Sequence, residues 1–509
     1  MKTPSFFYSI CGSLSASLAV TACTNKTEAP QQPNIILIMT DQQRGDCLGV
    51  MGNPGIRTPH LDQLANDGIL FTNGYSSVPS STPARSVLLT GMSPWHNGMI
   101  GFGTVAEHYK YEMPRMLAEN HYYTYIVGKL HYAPQRNLHG YHGGLLDESG
   151  RVRTPDFESD YRKWFRQQAL GLNPDSTGIG WNEHNGKAYA LPEELHPTTW
   201  TANEAIKFIQ NYDKENPLFL KISFARPHSP YDPPKRLLDQ YKNSDIQEPY
   251  IGEWCEEFAD RPNTKDASFG NFGKEHAVDS RKHYYASISF VDEKIGLIID
   301  ELKKKGIYDN SLIVFISDHG DMLGDHYHWR KTYPYEGSTH VPYIVKFPDQ
   351  TAGVYAKGSR LEQPVELRDI LPTFLEAAGA EIPEDMDGKS LYSLYKDKNA
   401  KWRPYIDLEH SVYRDYKNWL ALTDGKMKYI YFSSTGEEQL FDISKDKSET
   451  HDLSEDAAYA SILDSWRNHL KDHLKERGER YLKNGQLQRI DSAIIYSPNY
   501  PGPIHDMEF

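Results

Sequence analysis

A large α/β fold, with a mixed and mostly parallel sheet flanked by helices, follows from three features of the sequence. Short continuous apolar runs recur at the length of buried strands, amphipathic stretches of helical period lie between them, and most of the runs end on Asp, His, Lys or Arg. A length of 509 residues with 39% apolar and 24% charged residues supports a sizeable core, and excludes collagen-like, coiled-coil and mostly disordered chains. The 69 Asp and Glu against 55 Lys and Arg give a net charge of −14. Such a surface repels phosphate backbones, so nucleic acid is excluded as a partner, and an anionic substrate requires a locally basic pocket.

Taken in order, Lys2 and the mostly apolar stretch 6–20 read as a signal peptide over residues 1–22, too short to span a membrane stably. Val20-Thr21-Ala22-Cys23 matches a bacterial lipobox, with Val20 in place of the commoner leucine. Cys23 is therefore expected to be lipidated and residues 23–33 to form a tether, holding an exported protein in the periplasm or at the outer membrane of a Gram-negative cell. Only Cys47 and Cys255 remain besides it, too few for a disulfide framework.

A catalytic domain is expected over residues 34–390. Asn34 to Thr40 is the first buried strand and runs directly into Asp41-Gln42; Thr58-Pro59 opens a helix, with Thr58 as its N-cap, that Gly68 closes. Further strands are expected at Tyr123–Val127, Leu218–Phe224, Leu312–Ser317 and Val341–Phe347, with a long amphipathic helix through Ile288, Val291, Ile295, Ile298 and Leu302 ending at Gly306. In parallel sheets the polar site gathers where strands end, which singles out Asp41, Lys129, Arg226, His228 and Asp318. A smaller C-terminal α+β subdomain is expected over 391–509, with an antiparallel pair at Lys428–Phe432 and Gln439–Ile443, one helix over Ala457–Leu482, and an extended tail around Tyr496–Pro503.

The segment Ser81-Thr82-Pro83-Ala84-Arg85-Ser86-Val87-Leu88-Leu89-Thr90-Gly91 resembles the signature of type I sulfatases: Cys or Ser, any residue, Pro, any residue, Arg, then Leu-x-Thr-Gly. In family order the chain also shows Asp41-Gln42, Gly128-Lys129-Leu130-His131, Pro227-His228-Ser229-Pro230, Ser317-Asp318-His319-Gly320, and Lys331 ahead of Glu336, so the resemblance covers about residues 34–450. It implies an alkaline-phosphatase-like fold and an exported enzyme hydrolysing sulfate monoesters, most simply an O-sulfate on a sugar of a sulfated glycan. It also implies that Ser81 is oxidised to formylglycine, whose hydrated form attacks sulfur, and that Arg85, Lys129, His131, His228 and Lys331 hold the sulfate and supply the leaving-group proton, His228 in the donor's place. Asp41, Gln42, Ser81, Asp318 and His319 match the metal ligands. Their hard oxygens suit Ca²⁺, while the imidazole of His319, where many relatives have Asn, tilts slightly toward Mg²⁺ or Mn²⁺.

A serine in the cysteine position implies an anaerobic-type sulfatase-maturing enzyme as a partner. Candidate substrate contacts are His142 and Arg151, in the segment where relatives vary most, and His340, near where relatives often carry Arg. Asp321, Asp325, His326 and His328 are expected to support the loop by hydrogen bonds. Two alternatives remain at this stage: a phosphodiesterase or phosphonate monoester hydrolase of the same superfamily, and an unmatured lipoprotein that binds sulfated glycans without cleaving them.

Overall fold

The computed structural model describes Met1, Ser5 and residues 32–260, 264–411 and 418–504. The signal peptide, Cys23 and most of the expected tether lie outside the described residues.

Eight strands form the main sheet: β1 (Asn34–Asp41), β2 (Ile69–Phe71), β3 (Tyr123–Gly128), β4 (Gly143–Leu146), β5 (Leu218–Pro227), β6 (Ser311–Ser317), β7 (Tyr343–Lys346) and β8 (Ser359–Leu361), in the spatial order β4-β3-β5-β1-β6-β7-β2-β8. The first five in that order are mutually parallel; β7 runs antiparallel to both its neighbours, and β8 pairs parallel with β2. β1 is central, and its alternation divides the core. Ile35, Leu37 and Met39 face one hydrophobic layer with helices α2 (Ser81–Thr90) and α5 (Ile370–Ala377). Ile36 and Ile38 face a second layer with α1 (Pro59–Asp67), α3 (Pro197–Asn211) and α4 (Lys274–Lys304). Burial on both faces is why these strands read as continuous apolar runs.

Register sets the strand ends level. Thr40 lies opposite Ser317, Asp41 opposite Pro227 beyond a bulge, and Gly128 opposite Ser223, so that Asp41, Asp318, His228 and Lys129 leave the sheet along one edge. The antiparallel course of β7 explains why its C-terminal end, unlike the other four, delivers no charged residue to that edge.

Two local expectations are corrected. Thr58 occupies the N-cap of α1, but its hydroxyl donates to Asp62 Oδ1 at 3.0 Å and makes no bond to the helix amides. Asp292 of α4 supplies the missing acceptors, taking the amides of Leu61 at 2.7 Å and His60 at 3.2 Å. The C-terminal helix α6 covers Ala460–Leu474, and a 3₁₀ turn carries it only to Arg477. Gly478, at φ 77°, ends it, so Leu482 begins a short strand instead.

The C-terminal antiparallel sheet has four strands, β9 (Ile406–His410), β10 (Trp419–Thr423), β11 (Met427–Phe432) and β12 (Glu438–Asp442), where sequence reading found the last two. The tail packs on the main body: Tyr500 Oη donates to Thr104 O at 2.7 Å and Ser497 Oγ to Trp95 O at 2.6 Å. Among the described residues no helix is long and apolar enough to cross a membrane.

Candidate active site

Ser81 is the first residue of α2, a helix whose ten residues are all buried. Its hydroxyl lies 3.0 Å from His319 Nε2. Three turns of chain converge around it from the strand ends. After β1, Gln42 adopts φ 73°, and this left-handed turn is held by Tyr284 of α4, whose hydroxyl donates to Gln42 O at 2.5 Å and accepts from Arg44 N at 3.0 Å. After β3, Gly128 takes φ 108°, and a Cβ there would stand 2.0 Å from Ser223 O, so only glycine lets Lys129 turn inward. After β6, a Cβ on Gly320 would meet Gly337 O at 2.2 Å, which again requires glycine beside His319.

Arg85, one helical turn beyond Ser81, is fully buried and ties these turns together. Its Nε donates to Asp318 Oδ2 at 2.9 Å and Nη2 to Asp41 Oδ2 at 3.1 Å, while Nη1 reaches Lys129 O at 2.9 Å and Ser223 Oγ at 3.1 Å. Lys129 Nζ also pairs with Asp41 Oδ2. The two carboxylates are thereby neutralised on one side. Asp41 Oδ1, on the other, is buried without a hydrogen-bond partner.

That orphaned oxygen is a mark of a cation site. One donor atom each from Asp41, Asp318 and His319 lie within 4.8 Å of one another. His319 Nδ1 faces Gly320 O at 2.9 Å, an acceptor, so Nδ1 carries the proton and the Nε2 lone pair is left for a ligand. Gln42 adds an amide whose orientation is set by a second layer. Its Nε2 donates to Asp321 Oδ2 at 2.6 Å, which leaves Oε1 facing inward, where Lys331 Nζ donates to it at 2.9 Å. Asp321 itself accepts four hydrogen bonds, from Gln42, Tyr231, Leu323 and Arg330. Carboxylates, an amide oxygen and one imidazole fit a hard divalent ion.

The charges oppose one another strongly. Burial raises the carboxyl of Asp41, but Lys129, His228 and Arg85 overcome it and hold the group well below the usual carboxylate range. Burial, together with Arg151, draws Lys129 down to about 8, and burial, with Lys129 and Arg151, draws Lys331 down to about 7 against the attraction of Asp41 and Asp318. His319 is lowered by burial to about 4; His131 and His228 are lowered well below the imidazole range by burial and by their cationic neighbours. Both ring nitrogens of His131 are buried without partners. This is an under-neutralised basic cluster, and an oxyanion placed against it would favour the charged forms of its lysines and histidines.

Two expected substrate contacts are corrected. His142 precedes β4, which pairs parallel with β3, so His142 lies opposite Thr124, bonded to it and stacked on Tyr123, at the end of the sheet remote from Lys129. His340 does lie at the site edge of the sheet, one strand away. Its Nε2 meets Thr72 O at 2.9 Å, its Nδ1 faces Glu336 at 3.7 Å, and its ring packs on Gly45 and Tyr75, which leaves it a structural role. Arg151 lies close enough to Lys129, His131, His228 and Lys331 to contribute to the depression of each. The residues around 321–328 are supports: Asp325 pairs with Arg44 at 2.7 Å and Arg281 at 2.5 Å.

Sequence reading missed three groups. Lys221, in the middle of β5, is buried beside Arg85 and is lowered by burial to about 7; a lysine inside an apolar strand run was a readable signal. Glu148 accepts from the amides of Leu130 at 2.9 Å and His131 at 3.0 Å and so fixes the turn that carries them. His410 comes from β9, whose neighbour Glu409 donates its amide to Ser77 O at 2.9 Å; its ring nitrogens are buried and unpartnered, and no local pattern announced it.

Comparison with known proteins agrees with this geometry. The sulfatase family profile matches residues 33–380, and a profile described as N-sulphoglucosamine sulphohydrolase, C-terminal, matches residues 324–476. An arylsulfatase of Clostridium perfringens is 39% identical over 90% of this chain and 97% of its own. An N-acetylglucosamine-6-O-sulfatase of Bacteroides thetaiotaomicron is 25% identical over 94% of each. The solved phosphonate monoester hydrolase of Agrobacterium radiobacter superposes with a TM-score of 0.73 at 24% identity over 89% of this chain and 98% of its own, a likeness of fold. With the profile over residues 33–380, the arylsulfatase likeness along almost the whole length, and a buried serine among cations and metal donors, the chain belongs to the sulfatase family, the hydrolases of sulfuric esters.

Proposed function

We propose that the protein removes an O-sulfate from a sugar of a sulfated glycan, using formylglycine formed from Ser81 and one divalent ion, with Ca²⁺ favoured over Mg²⁺ or Mn²⁺. The observation that carries this reading is the position of Ser81, with its hydroxyl 3.0 Å from His319 at the meeting point of the Asp41, Asp318 and His319 donors and the cations Arg85, Lys129 and Lys331. The N-acetylglucosamine-6-O-sulfatase likeness supports a sugar as the sulfated partner.

In this reading Asp41, Gln42, Asp318 and His319 would hold the ion, which supplies positive charge to sulfate oxygens and acidity to the attacking hydroxyl. Lys129 and Lys331 bind the sulfate oxygens, and Arg85 fixes the two carboxylates. His228 Nδ1 donates to Ser229 O at 2.9 Å, which leaves Nε2 to carry the proton for the departing sugar oxygen once the bound anion favours the imidazolium. His131, with neither ring nitrogen engaged, would help Lys129 and Lys331 hold the sulfate and the nucleophile.

The reading extends to the cell: an anaerobic-type maturing enzyme acting on Ser81, and export with a lipid anchor at Cys23. The test is the mass of the tryptic peptide containing residue 81 from the native host, about 2 Da lighter than serine predicts if formylglycine is present. An unmodified peptide at full occupancy overturns the active-sulfatase reading. For the anchor, Cys23→Ala should move the protein from the membrane fraction to the soluble one, and an unchanged distribution refutes lipidation.

A further inference from the structure

Two arginines stand beside the sulfate pocket without carboxylate partners. The fully buried guanidinium groups among the described residues are neutralised, among them Arg44 by Asp46 and Asp325, Arg85 by Asp41 and Asp318, Arg226 by Asp232, and Arg477 by Glu409. Among the described residues, Arg151 and Arg153 make no ion pair. Arg151 Nη1 has one long contact, 3.5 Å to Glu148 O, and its guanidinium lies 5.9 Å from the centre of the Trp181 ring. The Arg153 guanidinium lies 5.2 Å above Phe102, and the Phe102 ring centre is 6.1 Å from that of His131. The pair is thus tied to the pocket from two directions, by Phe102 against His131 and by Glu148, whose carboxylate carries the His131 turn.

Their positions are built rather than incidental. Gln135, itself buried, donates from Nε2 to Arg151 O at 3.0 Å, and its Oε1 accepts from Arg153 N at 2.8 Å and Thr154 N at 3.2 Å. One glutamine therefore clamps the backbone of both arginines. The turn before them passes through Ser149 at φ 52° and Gly150 at φ 74°, where a Cβ would collide with Arg162 and Trp181. The charge of Arg151 reaches its neighbours: partial desolvation and then Arg151 lower Arg153, whose residue is otherwise exposed, and Arg151 contributes to the depression of Lys129, His131, His228 and Lys331. In a chain of net charge −14, two arginines brought together beside Lys129 and Lys331, with the Glu148 carboxylate acting on both, leave an excess of positive charge that can receive an anion.

We propose that Arg151 and Arg153 bind a second oxyanion on the substrate, a carboxylate or a further sulfate, so that the preferred ester is at least doubly charged, with its ring against Phe102 and Trp181. This deepens the sulfatase reading and rests on it for the position of the first sulfate. A forked guanidinium accepts either anion, and the substrate panel separates the two.

The test is made on binding, with protein carrying unmodified Ser81, so that affinity is read without turnover. The probes are a singly sulfated sugar, the same sugar with a second sulfate, and a sulfated sugar bearing a carboxylate. Wild type should bind one of the doubly charged probes roughly 10- to 100-fold more tightly than the singly charged one, and Arg151→Gln with Arg153→Gln should reduce that ratio to about 3 or less. Arg151→Lys with Arg153→Lys should retain an intermediate ratio. Equal wild-type affinities for all three probes, or a ratio unchanged in the glutamine variant, overturns the inference. The peptide mass at residue 81 separately decides the catalytic reading, so the two fail distinguishably.

Discussion

Asp321→Asn tests the second layer of the site, because it changes one atom and leaves volume and packing alone. The Asp321 side chain is fully buried and accepts from four donors: Gln42 Nε2 at 2.6 Å and Tyr231 Oη at 2.5 Å on one oxygen, Leu323 N at 3.0 Å and Arg330 N at 2.9 Å on the other. Asparagine keeps one of those oxygens. If its NH₂ faces the two backbone amides, two donors are stranded at about 1–3 kcal/mol each, or about 2–6 kcal/mol in all. If it faces Gln42, the Gln42 amide escapes a donor–donor clash only by turning over, which presents NH₂ to Lys331 and removes an oxygen from the proposed ion site. Either outcome lowers Tm, by roughly 2–6 °C for a chain of this size. The second also lowers kcat/KM on an aryl sulfate by roughly 10- to 100-fold, as loss of an outer partner of a metal ligand does. Scanning calorimetry and initial rates on the same preparation decide it. An Asp321→Asn protein with wild-type Tm and wild-type rate would show that the Gln42 orientation is not held by this carboxylate.

Three further outcomes are expected. His228→Ala should depress hydrolysis of a sulfated sugar by roughly 10²- to 10⁴-fold while sparing an activated aryl sulfate much more, since a nitrophenolate leaves without an acid; equal losses on both would assign His228 to sulfate binding and make Lys331 the better candidate for the acid. Chelation of the matured enzyme should abolish turnover and lower Tm, with recovery on adding Ca²⁺, because Arg85 and Lys129 offset only one side of the Asp41 and Asp318 pair; activity and Tm indifferent to exhaustive chelation would refute the ion site. Burial raises Asp292 from 3.8 to about 7, so between those values the folded chain holds a proton that the unfolded chain has released, and stability falls as pH rises through that window. Asp292→Asn removes that slope, so the stability of wild type relative to the variant should be greatest near pH 4 and decline toward pH 7; parallel Tm profiles would contradict it.

The sheet was legible because its strands are buried on both faces, and five apolar runs could be placed within a few residues. The direction of β7 was not legible: an antiparallel strand inside such a sheet has the same composition as a parallel one, and only the hydrogen-bond register distinguishes them. Site residues at strand ends could be picked out because a charged group there follows an apolar run directly, as Asp41 and Asp318 do. His142 shows the limit of that reasoning. Its place in a variable segment makes it a candidate substrate contact, but its strand enters the sheet with His142 at the far end. Thr58 takes the N-cap of α1 as its position before Pro59 suggests, but the acceptor for the helix amides is Asp292, which lies 231 residues beyond Leu61 and which no local pattern encodes. Asp321 was legible as a hydrogen-bonded support of its loop, but Gln135 and Glu148 act on backbone amides, contacts that depend on where loops meet and leave no spacing to read.

The burial of α2 bears on the order of events in the cell. All ten residues from Ser81 to Thr90 are enclosed, with the Ser86 hydroxyl bonded to Thr82 O and Arg85 locked between two strand-end carboxylates. On the proposed reading, an enzyme that oxidises Ser81 must surround this segment in its own cleft, and the native protein offers it no extended backbone to grasp. Maturation therefore competes with folding, and whichever finishes first decides the fate of each molecule. A host that overproduces the chain without matching its modifying enzyme should accumulate a well-folded, stable and permanently silent population, which no later supply of that enzyme could rescue without first unfolding it.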